Sequence, residues 1–254
     1  MNQSSNLLDQ SLGLSESRVS LPHGRVVLIE DCVETSGDFI LHHLVKRALS
    51  LHSSAIVLFI ALAHPFSHYD RILRKQGCNI ATQRENGRFL FFDMRKLDSP
   101  DGTEALIDLY RMIQKTVEST CSPKHNRSDV TIIIDDISLM EVAVHGSSNY
   151  VLDFLYYCHT LTSEYGCSLI ILNHDDIYSN ELVSSMILRL EYLADLIIKA
   201  EPLVTGLAAD VHGQLTVLNK GVLSEHGSSG NKVQNFHFKV KENSVEYFYP
   251  GSRN

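Results

Sequence analysis

Three groups of residues in this 254-residue chain have the types and spacing that could do chemistry. The first lies between Arg25 and Leu44. There an apolar run ending in acids, RVVLIED, is followed by Ser36-Gly37 and a helical pattern. A strand, a turn and a helix N-terminus in that order can bind phosphate, because free backbone N–H groups and the helix dipole face the anion. The full phosphate-loop pattern is GxxxxGK followed by Ser or Thr, in which the lysine meets the phosphates and the hydroxyl meets magnesium. Aligned on Gly37, the chain has Cys32 at the first glycine, Asp38 at the lysine and Phe39 at the hydroxyl. Glu30, Asp31, Glu34 and Asp38 crowd the same turn with no cation among them, so it should repel phosphate.

The second group is Asp135-Asp136, which follows the apolar run Val130–Ile134. Carboxylates at the end of a buried strand hold Mg²⁺ in many ATPases. They can equally cap the strand end and keep it soluble, and without a lysine-bearing loop capping is the expected role. The third group is histidine-rich. His64 and His68 have the i, i+4 spacing of metal ligands, but Pro65 intervenes and no third ligand is evident. His42 and His43 are adjacent and point apart, and His174-Asp175-Asp176 follows a strand without an accompanying nucleophile. GxSxG, HExxH and GxGxxG are all absent, and neither cofactor nor metal is expected. Arg71, Arg74, Lys75, Arg84 and Arg88, with Tyr69 and Phe89 nearby, form a basic set that could contact RNA phosphate or an acidic protein neighbour.

The elements that position these groups alternate. Buried strands are expected at Arg25–Asp31, Ala55–Leu62, Arg88–Met94, Val130–Ile134, Cys167–Leu172 and Leu196–Lys199. Helical periodicity covers Ser36–Ala48, Phe66–Gln76, Gly102–Ser119, Asn149–Tyr165 and Asn180–Tyr192. Such alternation predicts an α/β fold with a mostly parallel sheet flanked by helices. Runs at Leu215–Leu218, Phe236–Val240 and Val245–Tyr249 add a C-terminal antiparallel extension, with a mobile loop over Ser224–Lys232. The Ser-rich segment 1–21 is expected to be a flexible tail. Residues 22–254 would form one domain, antiparallel from about residue 196.

The formal charge is −8, and it is unevenly placed. Residues 128–194 hold one basic residue, Arg189, against ten acidic ones, whereas 64–127 carry a small basic excess. An acidic chain is poorly suited to bind nucleic acid alone. The five cysteines form no CxxC pair and read as reduced thiols of an intracellular protein, and no apolar run is long enough for a transmembrane helix.

Four segments carry a family resemblance: LIEDCVETSGDFILHHLV, LAHPFSHYDRILRKQGCNI, IIIDDIS and AEPLVTGLAADVHGQL. In this order, spanning about Val26–Tyr249, the chain resembles the Elongator complex protein 6 family and reads as a plant member of it. The resemblance implies a RecA-like fold without a functional nucleotide loop. It implies a non-catalytic subunit that alternates with Elongator complex proteins 4 and 5 in a heterohexameric ring. That ring would bind tRNA and join the remaining Elongator subunits in wobble-uridine modification, in cytoplasm and nucleus. In such rings the loops after the central strands, here about 138–149 and 174–180, would face the pore, and neither contains Lys or Arg. The alternative is an active NTPase or kinase-like enzyme with a degenerate phosphate loop.

Overall fold

The computed structural model describes residues 7–14, 23–51, 54–96, 102–121, 129–177, 184–203, 206, 210–223 and 229–251. Its strands are β1 (Val26–Asp31), β2 (Ile56–Ala61), β3 (Phe89–Asp93), β4 (Val130–Ile134), β5 (Ser168–His174), β6 (Leu196–Glu201), β7 (Gly213–Leu223), β8 (Ser229–Val240) and β9 (Val245–Phe248). They form one sheet in the order β3-β2-β4-β5-β1-β6-β7-β8-β9. β3 through β6 are parallel, and β7, β8 and β9 extend the sheet antiparallel.

β1 and β4 are buried at every position, the signature of strands covered on both faces. One cover consists of α1 (Leu7–Ser11), α2 (Asp38–Leu51), α3 (Phe66–Lys75) and α4 (Ile80–Glu85). The other consists of α5 (Gly102–Thr120), α6 (Ile137–Ala143), α7 (Ser148–Tyr165) and α8 (Ser184–Leu193). Alternate residues of β1 serve the two layers: Val27 and Ile29 pack under α2, and Val26 and Leu28 under the α5–α8 layer.

The expectation of a flexible tail fails over residues 7–14. α1 lies against the first layer with Leu8, Leu12 and Leu14 buried, each contributing roughly 1.5–3 kcal/mol. Asp9 ties it to α2 through His43 Nε2 at 2.8 Å and Arg47 Nη1 at 2.8 Å. Residues 1–6 and 15–22 of that segment lie outside the described residues. Two further boundaries change. β6 still pairs parallel with β1, so antiparallel pairing starts between β6 and β7 rather than throughout 196–254. Residues 229–232, expected in a mobile loop, already belong to β8, and residues 224–228 lie outside the described residues. Gly213 opens β7 where a Cβ would lie 2.7 Å from the Glu201 carbonyl oxygen and 2.8 Å from the Phe238 ring, so only glycine fits.

Candidate functional site

In a sheet of this kind ligands bind beyond the carboxyl ends of the strands. Here the ends of β1, β4 and β5 carry Asp31, Asp135-Asp136 and His174. Cys32 and Thr35 exchange backbone contacts to form a tight turn after β1, and α2 begins at Asp38. The Gly37 N–H at the mouth of α2 points where a phosphate loop would hold its anion, and it donates to Asp31 Oδ2 at 2.6 Å. A Cβ on Gly37 would sit 3.0 Å from Ile29 Cγ2 and 3.3 Å from Asp31 Cβ, so a larger residue would push those side chains back by a few tenths of an ångström. Phe39, at the hydroxyl position, is buried with its ring 4.6 Å from that of Phe238. The acids were expected only to repel phosphate; in fact one of them takes its place.

Asp31 is held from a second side. Its Oδ1 meets His174 Nδ1, while His174 Nε2 lies 3.3 Å from Asp136 Oδ2. The imidazole thus bridges two buried carboxylates on β1 and the β4 end. Hydrogen bonds that His174 donates to Asp136 and Asp31 outweigh partial burial and raise its pKa to about 10, so at neutral pH it is an imidazolium donating from both nitrogens. The Asp136 carboxyl is correspondingly held below its usual range, even against burial, by His174, Ser138 and the Leu139 N–H. Asp136 also caps α6, accepting from Leu139 N at 3.0 Å. The Val33 N–H donates to Asp176 Oδ2 at 2.9 Å, which ties the β1 turn to the segment after β5.

Asp135 is turned inward. It accepts from Leu62 N at 2.7 Å, from Ala63 N at 3.2 Å and from the Tyr69 hydroxyl. Burial pushes its pKa up to about 6, opposed by those donors. Its oxygens are therefore spent on β2 and α3. A magnesium nucleotide does not fit these residues: the anion slot holds a carboxylate, the lysine position holds Asp38, and the acid of β4 is enclosed by donors.

The histidines pack. His64 and His68 stack at 4.0 Å, and burial lowers the His42 pKa to about 4. No His, Cys, Asp and Glu grouping among the described residues could hold a metal ion. The basic set divides. Arg88 is structural, its guanidinium bonding the carbonyls of Ala55 at 3.2 Å and Leu49 at 2.9 Å and Gln83 Oε1 at 2.8 Å. Tyr69 and Phe89 are buried and present no stacking surface. Arg84 lies 5.0 Å over the Phe66 ring, Arg74 pairs with Asp70 and Lys75 with Glu242 at the surface, and Arg71 is exposed. The α3 bases face away from the acidic α6–α8 layer, although α5, from the basic stretch, packs on α7. Of the segments expected to face a pore, residues 138–143 lie in α6, residues 148–149 open α7, and residues 178–180 lie outside the described residues.

Three findings place this chain among known proteins. The family described as Elongation complex protein 6 matches it over residues 8–100 and 94–242. Proteins named Elongator complex protein 6 from Xenopus laevis and Mus musculus are 28% and 27% identical, covering 96% and 94% of this chain and 96% and 95% of their own lengths. Among solved structures, a KaiC-like protein from Pyrococcus horikoshii superposes with a TM-score of 0.65 at 12% identity, covering 98% of both chains. A second protein of that archaeon, crystallised with an unknown peptide, gives 0.64 at 15% identity over 96% of this chain and 97% of its own.

Proposed function

Because the chain belongs to the Elongator complex protein 6 family and has a RecA-like fold, we propose that it is a non-catalytic subunit of the Elongator complex. In this reading it assembles with Elongator complex proteins 4 and 5 into a heterohexameric ring, in cytoplasm and nucleus, and the ring binds tRNA in support of wobble-uridine modification. One observation carries the non-catalytic part: the Asp31 carboxylate occupies the anion slot at Gly37 and is locked there by His174. A subunit whose nucleotide site is closed by its own side chains serves by shape and surface.

The acidity of this chain assigns most of the ring's phosphate affinity to the partners. The exposed part of the basic set on α3, Arg71, Arg74 and Lys75, is offered to an acidic neighbour. Co-expression with the two partners followed by sizing tests the reading: a stable assembly of all three is expected, weakened by charge reversal of those three residues. Failure of the wild-type chain to co-purify would overturn the assembly.

A further inference from the structure

Beyond the end of β1, on the side of β6, the surface is open. A cavity of about 400 Å³ lies beyond the ends of β1 and β6, lined by the acidic residues Glu30, Asp175 and Glu201 against the single ammonium of Lys199; Asp31 also borders it, with its carboxylate turned to Gly37 and His174. Glu30 is only 2% exposed, yet its hydrogen bonding is incomplete. Its Oε2 lies 2.8 Å from Lys199 Nζ, but that ammonium also serves Glu191 at 2.7 Å. Glu30 Oε1 has no hydrogen-bond partner among the described residues. Asn173, which faces Glu30 in the register of β1 and β5 and is fully buried, is unpartnered at both ends of its amide.

Each such buried orphan costs about 1–3 kcal/mol, and a donor entering from the cavity would recover that of Glu30, which lines it. The chemistry of that donor is constrained. Three acidic residues against one lysine disfavour phosphate, so nucleic acid is a poor occupant. A planar cation with several N–H groups suits an unpartnered carboxylate oxygen with further acidic residues around it, which favours guanidinium over ammonium. Apolar groups accompany the charge: Pro202 and Leu203 are among the lining residues, and Val33, 84% exposed, follows the lining residue Cys32 in the chain. Apolar groups beside a charged pocket fit a polypeptide better than a small hydrophilic cation.

We propose that this cavity is a receptor for an arginine side chain projecting from an adjoining protein subunit. That the arginine belongs to a subunit rests on the assembly reading above; the guanidinium chemistry of the pocket does not. The test titrates the full chain with N-acetylarginine methylamide, with its neutral isostere N-acetylcitrulline methylamide, and with spermidine, followed by NMR shifts or calorimetry. Saturable arginine binding is expected, at least tenfold tighter than citrulline and lost in Glu30→Gln and Glu201→Gln. Equal binding of citrulline, or arginine binding unchanged by Glu30→Gln, would overturn the proposal. Spermidine binding tighter than arginine would overturn the protein source by making a free polyamine the occupant.

A parallel co-purification separates the two readings. Loss of ring partners by Glu30→Gln, with the wild type assembling, supports the receptor. A wild type that binds the arginine probe but not the partners sinks the assembly alone. A wild type that assembles, joined by a Glu30→Gln chain that assembles equally well, sinks the receptor alone.

Discussion

Two acids adjacent in sequence, Glu30 and Asp31, end the same strand and meet opposite fates. Strand alternation sends them to opposite faces of the sheet. Asp31 finds Gly37 N–H and an imidazolium, so the nucleotide side of β1 is closed by partners from within the chain. Glu30 finds half a lysine and an unsatisfied amide, so the β6 side is left wanting a cation. The difference teaches where unsatisfied chemistry lies in a RecA-like frame: the Asp31 side of β1 has become internal structure, and the unpaired groups lie beside it.

Breaking the closed side should cost most. His174→Ala leaves Asp31 and Asp136 buried without their shared cation, and urea denaturation at pH 7 should show a loss of about 3–5 kcal/mol. A loss below about 1 kcal/mol would mean that the bridge is incidental. Asp31→Asn keeps the volume but weakens the charge-assisted bonds to Gly37 and His174, for an expected loss of roughly 1.5–3 kcal/mol in the same assay.

The bridge also has a pH signature. The folded pKa of His174 is raised to about 10, above its unfolded value near 6.5. Its contribution is therefore fully present below about pH 6.5 and is lost as pH rises toward 10. The stability difference between wild type and His174→Gln should shrink across that window, and a constant difference would place the charge elsewhere.

The open side should respond least. Glu30→Gln removes a buried, half-paired charge whose pKa burial already raises, while Lys199 keeps Glu191. Stability should change by less than about 1 kcal/mol, with any shift toward stabilisation, as read by thermal or urea melts.

Much of this frame is legible in the sequence. Continuous apolar runs marked the buried strands, and 3–4 spacing marked α2, α3, α5 and α7. Short helices escape, because six or seven residues give too little periodicity. Their caps were the available signal: Asn79 accepts from Thr82 N for α4, and Asp136 accepts from Leu139 N for α6. Leu8 and Leu12, one helical turn apart, likewise hinted that the Ser-rich start packs. Asp38 at the lysine position marks a departure from the phosphate-loop pattern. What replaced it did not show, because Asp31 and His174 are 143 residues apart and meet only through the pairing of β1 with β5. Arg88 misled for a related reason: its bond to the Leu49 carbonyl at the end of α2 spans 39 residues.

The central claim is that the nucleotide site is closed by the chain's own residues. Titration of the purified chain with Mg-ATP, followed by thermal shift, tests it most directly. The closed site predicts no saturable stabilisation in the wild type or in Asp135→Ala. A saturable stabilisation that Asp135→Ala abolishes would contradict it and restore the enzyme reading.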